Sequence, residues 1–258
     1  MARFSSVFVL GVAHCGSTLL GRLLDSHPDL LCVGELLRLG EAIEKGLPCS
    51  CGASLEQCEL WGARLESLAS QTGRDWRGFE PGTFARLGAE LGAATVVDLS
   101  KTLVWRRGRR WKSAGDGYVL LLRDPRGIMA ATVRAGGDLA GALAKHVKWK
   151  KRLQRFCARR GERVIRVRYE DLCLHPRREL ERLVEFLGVA FADEMLRPAD
   201  REHHFVHSSR SPYLAGSNEI RLDQRWQREL TPEALATIEA AMRRVPLLAS
   251  AYLGPTPA

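Results

Sequence analysis

The chain has no lysine where a nucleoside-triphosphate loop requires one. Its N-terminal apolar run is too short to enter a membrane, and it carries no internal repeat, coiled coil or low-complexity tract. That run, Val7–Leu10, follows a single early arginine, Arg3. It falls far below the length of a signal-peptide core or a membrane span, so a cytoplasmic, non-exported protein without a membrane partner is expected. Cysteine is present but odd in number, 7 in 258 residues. That excludes the paired framework of a small secreted scaffold and fits a reducing compartment. The net charge of +9 comes without a basic tail or a nucleic-acid-binding motif, the basic residues being dispersed over the chain. An anionic small ligand is favoured over a nucleic-acid partner.

What is present is an ordinary globular composition, 45% hydrophobic and 27% charged. One domain over 1–258 accommodates it, with an insertion at about 40–92 and a long loop at about 198–218. The most informative stretch is Phe8-Val9-Leu10-Gly11-Val12-Ala13-His14-Cys15-Gly16-Ser17-Thr18-Leu19-Leu20. It reads as an apolar strand, a glycine-bounded loop and a helix. The spacing from Gly11 to Gly16-Ser17-Thr18 is that of a Walker A loop with Ser17 in place of its lysine. Without that charge the loop argues against NTP chemistry, yet its N–H groups can still hold an anion. The alternative is an ordinary strand-to-helix turn capped by Ser17 or Thr18.

Apolar runs at Val7–Leu10, Thr95–Asp98, Tyr118–Leu122 and Val164–Val167 read as buried parallel strands. They alternate with helical patterns beginning near Ser17, Leu139, Pro176 and Thr231-Pro232-Glu233, a βαβ arrangement with ligands at the carboxyl ends of the strands. The 40–92 stretch has weak periodicity and reads as a helical insertion over the site. It holds Cys49, Cys51 and Cys58, one ligand short of a tetrahedral zinc site unless His27 or another cysteine completes it. A reduced or partly oxidised local staple is the simpler reading, and no metal is assigned. His203, His204 and His207 have no carboxylate or cysteine at ligand spacing beside them and read as part of a loop over the cofactor. The strand Tyr118–Leu122 ends in Arg123-Asp124-Pro125-Arg126. A guanidinium there can fork onto a second phosphate, or it can pair with Asp124 at the surface.

At these residues the chain resembles the sulfotransferases that use 3′-phosphoadenosine 5′-phosphosulfate (PAPS). His14-Cys15-Gly16-Ser17-Thr18-Leu19-Leu20 resembles their 5′-phosphosulfate loop and Arg123-Asp124-Pro125-Arg126 their 3′-phosphate motif. His27-Pro28 with Gly34-Glu35, Val97-Asp98-Leu99-Ser100-Lys101, Arg168-Tyr169-Glu170-Asp171-Leu172 and Phe186-Leu187-Gly188 follow in the family's order. Cys49-x-Cys51-Gly52 with Cys58-x-x-Trp61 is similar to a pattern in bacterial members.

The resemblance implies an α/β, P-loop-NTPase-like parallel sheet flanked by helices. It also implies in-line sulfuryl transfer from PAPS, without a required metal, giving adenosine 3′,5′-bisphosphate as product. The acceptor would be a hydroxyl, less readily an amine, of a small molecule, a carbohydrate or a tyrosine. Glu35 stands at a spacing from His14 like that of the carboxylate base in tyrosylprotein sulfotransferases, a role for which a partly closed apolar site would raise its pKa. Lys101 resembles the lysine that neutralises developing charge, Tyr169 a tyrosine near the adenosine, and Ser209 and Arg210 the basic late loop. Two positions depart from the pattern. His14 replaces an arginine or lysine and is a cation only when protonated. Ala131 replaces the 3′-phosphate serine, leaving Thr132 as the nearest hydroxyl. Two rival readings stay open: a degenerate P-loop kinase that needs ATP and Mg²⁺, and a non-catalytic nucleotide binder.

Overall fold

The computed structural model describes residues 2–72, 82–101, 116–207 and 216–253. Within them β1 (Ser6–Leu10), β2 (Leu30–Cys32), β3 (Thr95–Lys101), β4 (Asp116–Leu122) and β5 (Val164–Arg168) form one sheet in the order β2-β3-β1-β4-β5. Every pairing is parallel. Four strands coincide with the apolar runs of the sequence. β2 has only 3 residues, too few to carry a readable period, and the run begun at Thr95 continues past Asp98 to Lys101.

Around the sheet lie α1 (Ser17–Asp25), α2 (Leu39–Glu44), α3 (Leu65–Thr72), α4 (Thr83–Glu90), α5 (Pro125–Arg134) and α6 (Leu139–Ala158). These are followed by α7 (Tyr169–Leu174), α8 (Pro176–Leu187), α9 (Trp226–Glu229), α10 (Pro232–Arg243) and α11 (Pro246–Tyr252). The starts follow from local chemistry. Asp124 accepts from the Arg126 N–H ahead of Pro125, Asp138 accepts from Ala140 and Gly141, and Thr231 accepts from Ala234 ahead of Pro232. Each of these side chains satisfies an orphan first-turn donor, and a proline at the first helical position loses no bond there. Among the described residues of the insertion, α-helix is confined to α2, α3 and α4. Its cysteine-bearing part, between α2 and α3, is irregular apart from a single 3₁₀ turn at Gly62–Arg64. Among the described residues no helix is long and apolar enough to cross a membrane.

β1 is buried along its whole length. Alternate side chains serve opposite faces: Val7 and Val9 join the core formed with α1 and α8, while Phe8 and Leu10 join the core formed with α2, α4, α6 and the cysteine segment. A third cluster packs α5 and α6 against α10 and α11. After β2 the chain turns at Gly34, whose φ of 72° is left-handed. Its backbone pairs with Val206, and a Cβ there would lie 2.4 Å from the Val206 carbonyl oxygen. Gly46 is also left-handed, at φ 57°, but faces open space.

Alanine at Gly46 should cost about 1 kcal/mol from backbone strain alone. Alanine at Gly34 meets a backbone atom as well and should cost clearly more than Gly46→Ala in urea unfolding; equal losses would contradict the tight contact at Gly34.

Candidate active site

Between β1 and α1 the backbone enters the left-handed region at His14 (φ 63°) and Gly16 (φ 92°). A Cβ on Gly16 would fall 2.4 Å from a Tyr169 ring carbon, so both the turn and the ring demand glycine. Trp149 Nε1 donates to the Gly11 carbonyl at 2.7 Å and fixes where the loop begins. α1 has no side-chain cap. The N–H groups of Ser17, Thr18 and Leu19 therefore lack intrahelical partners and sit at the positive end of the helix dipole. Cys15 is fully buried and Leu19 nearly so. These two can serve a ligand only through their backbones.

β4 lies beside β1 and delivers Arg123 to the loop. Its Nη1 donates to the His14 carbonyl at 2.8 Å and its Nη2 to Asp223 Oδ2 at 3.1 Å, while the guanidinium stacks 4.4 Å from the Tyr169 ring centre. Asp124 is not its partner. That carboxylate caps α5 and takes the fork of Arg126, because its short side chain reaches its own helix start first. Asp223 also receives Arg225, at 2.8 Å through both Nε and Nη2. Its carboxyl is held far below the usual range, chiefly by the Arg225 hydrogen bond, with Arg123 adding to it. Two guanidiniums thus share one carboxylate and leave a net positive charge. The Tyr169 hydroxyl accepts from the Asp223 N–H at 3.2 Å and donates to the Arg221 carbonyl at 3.3 Å, clasping this segment to the loop. Burial pushes its phenol up. Thr132 donates back to the Ile128 carbonyl at 2.9 Å, so its proton is engaged within α5.

β3, on the other side of β1, ends in Lys101, itself left-handed at φ 61°. Lys101 Nζ pairs with Glu35 Oε1 and donates to the Leu99 carbonyl at 3.2 Å. Glu35 begins the 3₁₀ turn Leu36–Arg38. The turn is held by the strand end: Leu36 N–H donates to Asp98 Oδ2 at 3.2 Å, Leu37 N–H to Ser100 Oγ at 3.2 Å, and Ser100 Oγ to Asp98 at 2.9 Å. The Glu35 N–H donates to the Val206 carbonyl at 2.8 Å. The surroundings of the Glu35 carboxylate differ from the apolar enclosure expected of it. Besides Lys101 it faces Arg38 and His207, each 3.9 Å from Oε2. Its side chain is 18% exposed, a partly closed setting built of basic side chains.

His14 lies exposed on the loop among these charges. Its pKa is lowered from the ordinary 6.5 by partial burial first, then by the fields of Arg123, Lys101 and Arg134. It is neutral at pH 7 and gains its proton only as the pH falls below the ordinary value. Arg123 and Lys101, at the ends of strands on either side of β1, both act on the His14 ring through their charge. On the buried face of α6, beneath β4, Lys150 is fully buried and its pKa is lowered to about 8 by that burial. It donates to the Leu121 carbonyl at 3.4 Å. No motif marks Lys150, which shares the buried face of α6 with His146 among apolar residues.

The histidines of the late segment part company. His203 Nδ1 meets the buried Asp25 carboxylate at 2.7 Å, His207 faces Glu35, and the ring of His204 lies 3.3 Å from Cys58 Sγ. Phe205 and Val206 between them are fully buried. Residues 203–207 are therefore a packed segment rather than a covering loop. His27 does not join the cysteines, because its ring bonds the Ala190 carbonyl at 2.7 Å and the Asp29 N–H at 3.0 Å. Ser209 and Arg210 lie outside the described residues.

Residues 117–193 match the model of the Sulfotransferase family. A Caenorhabditis briggsae protein named as a protein-tyrosine sulfotransferase is 25% identical over 198 residues, 74% of this chain and 68% of that protein. Protein-tyrosine sulfotransferase 1 of Danio rerio is 24% identical over 74% of this chain and 55% of its own length. In fold, the chain is similar to the sulfotransferase domain from the curacin biosynthetic pathway, with a TM-score of 0.69 at 23% identity over 97% of this chain and 98% of that one. It is similar also to a mouse sulfotransferase complexed with PAP, with a TM-score of 0.56 at 11% identity over 98% and 87%. The resemblance carried by the motifs is borne out, and the parallel sheet flanked by helices is the sulfotransferase fold.

In the free protein the His14 imidazole should titrate below 6.5, and Arg123→Gln should move it upward. Ring resonances followed by NMR against pH check this; a wild-type value at or above 6.5 would contradict the combined effect of burial and neighbouring cations.

Proposed function

We propose, for a chain related to the sulfotransferases in motifs, family match and fold, that it transfers the sulfuryl group of PAPS to an acceptor hydroxyl. The observation that carries this is the convergence of three neighbouring strand ends. The anion loop follows β1, Lys101 with its Glu35 partner closes β3, and Arg123 follows β4.

The residues fit the donor. The bare first-turn amides of α1 suit the 5′-phosphosulfate and Arg123 the 3′-phosphate, for which Asp223 acts as a built-in place-holder sharing the guanidinium until the anion arrives. Thr132 is a weaker 3′-phosphate contact and Tyr169 a wall for the adenosine; the contacts of Ser209 and Arg210 rest on the resemblance alone. In the transfer the acceptor oxygen attacks sulfur, the bond from sulfur to the phosphate oxygen breaks, adenosine 3′,5′-bisphosphate leaves, and the acceptor proton passes to Glu35. Charge grows on the sulfuryl oxygens and on the leaving phosphate, where fixed N–H groups and cations stabilise it most. Lys101 answers that charge by moving from Glu35 toward the sulfuryl oxygens, which frees the carboxylate to act as base. His14, raised in pKa by the bound dianion, donates to the bridging oxygen. Bisphosphate affinity should therefore rise as the pH falls through the interval between the bound and free pKa of His14.

Incubation with sulfur-labelled PAPS and a panel of phenols, sugars and tyrosine peptides tests the reading. Label should reach a hydroxyl acceptor without added metal. Glu35→Gln should lower turnover by about 10²–10⁴-fold while bisphosphate affinity changes little. Turnover that survives Glu35→Gln would remove Glu35 as base, and transfer of phosphate from ATP instead of label from PAPS would replace the reading with a kinase.

A further inference from the structure

The sulfur atoms of Cys49, Cys51 and Cys58 and a ring nitrogen of His204 all lie within 4.8 Å of one another. Cys51 Sγ and Cys58 Sγ are 3.9 Å apart, and Cys58 Sγ is 3.3 Å from His204 Nδ1. In a tetrahedral zinc site, with Zn–S near 2.3 Å and Zn–N near 2.0 Å, two sulfurs stand about 3.8 Å apart and sulfur and nitrogen about 3.5 Å. A disulfide requires about 2.05 Å, and all three cysteines are free thiols. We propose that these four side chains hold one zinc ion that ties the irregular part of the insertion to the 203–207 segment. The site is independent of the sulfuryl-transfer reading.

The backbone is arranged for it. Cys49 and Cys51 sit on a tight turn in which the Gly52 N–H donates to the Cys49 carbonyl at 3.0 Å, Gly52 being left-handed at φ 97°. His204, 146 residues away from Cys58, is presented by hydrogen bonds that do not need the metal. Trp61 Nε1 donates to its carbonyl at 2.9 Å, and Ser50 Oγ bridges the flanking residues, donating to the His203 carbonyl and accepting from the Phe205 N–H at 2.7 Å. With Nδ1 turned to the sulfurs, Nε2 faces the Glu202 carboxylate at 3.4 Å, the kind of outer partner that orients a ligating imidazole. Cys49 and Cys58 are buried, while Cys51 and His204 are half-buried and leave the ion a way in.

Three soft thiolates and an imidazole select zinc over the oxygen-seeking magnesium and calcium. Binding exchanges three thiol protons, released to solvent, for Zn²⁺. All four coordination positions come from the protein, so the site is structural, with none open to substrate. Val206, two residues after His204, accepts the Glu35 N–H and bridges Gly34, so the segment that carries His204 is also tied to the chain leaving β2.

Protein purified from zinc-supplemented medium without chelator should contain one zinc per chain by elemental analysis. His204→Cys should keep it, and His204→Ala and Cys58→Ser should lose most of it. If those variants fail to fold, cobalt added to chelator-stripped wild type decides: tetrahedral d–d bands with sulfur-to-metal charge transfer are expected. A folded protein that binds neither zinc nor cobalt overturns the proposal, whether its thiols titrate as 7 or two fewer because a disulfide has formed. Iron with labile sulfide in place of zinc overturns it as well.

Discussion

Everything at the candidate site depends on β1 running buried between β3 and β4, parallel to both. Because the three strands point the same way, their carboxyl ends open onto one edge of the sheet, where the chain leaving each strand must turn back. β1 turns back through a loop that requires left-handed backbone at two positions. β3 stops on the left-handed Lys101, and Arg123 directly follows β4. Had either neighbour of β1 been antiparallel, its cation would have been carried to the opposite edge. The apolar packing of Val7, Val9, Phe8 and Leu10 into cores on both faces of the sheet is thus what brings an anion loop and two cations together.

Those cations are not left bare. Arg123 is shared with Asp223 and Lys101 with Glu35, and each carboxylate has further basic neighbours: Arg225 at Asp223, and Arg38 and His207 at Glu35. Partly buried pairs of this kind hold long side chains in place at a desolvation cost that a multiply charged ligand offsets better than a single carboxylate does. Partial burial first, and then these cations, lower the His14 pKa, and a bound anion would raise it. In this account the two pairs open in turn: donor binding draws Arg123 from Asp223 onto the 3′-phosphate, and the charge that grows during transfer draws Lys101 from Glu35 and frees the carboxylate as base.

The sequence makes some of this plain and hides the rest for identifiable reasons. β1, the loop and α1 follow from an apolar run, two glycines and a helical period, all local. Arg123 is legible because it stands directly after a strong strand. Glu35 and Lys101 are legible only through resemblance, since Glu35 starts a short 3₁₀ turn and nothing in their spacing says that they meet. Asp223 and Arg225 have no motif, and Asp223 lies 100 residues from the arginine it serves. The fourth neighbour of the cysteine cluster is His204 rather than the nearer His27 for the same reason: burial of Phe205 and Val206 brings that segment in, and no local pattern records it. The environment of Glu35 reads differently from the expectation because Lys101 and His207 come from separate segments that only the fold brings to it, beside Arg38 three residues on.

The most direct test of the account is calorimetric titration of the protein as purified, without added metal, with adenosine 3′,5′-bisphosphate, beside ATP with Mg²⁺, repeated on Arg123→Ala. The account predicts micromolar binding of the bisphosphate, indifference to ATP, and a loss of about 10-fold or more in the variant, as befits one charge-assisted pair. Preference for ATP, or bisphosphate affinity unchanged by Arg123→Ala, would contradict it.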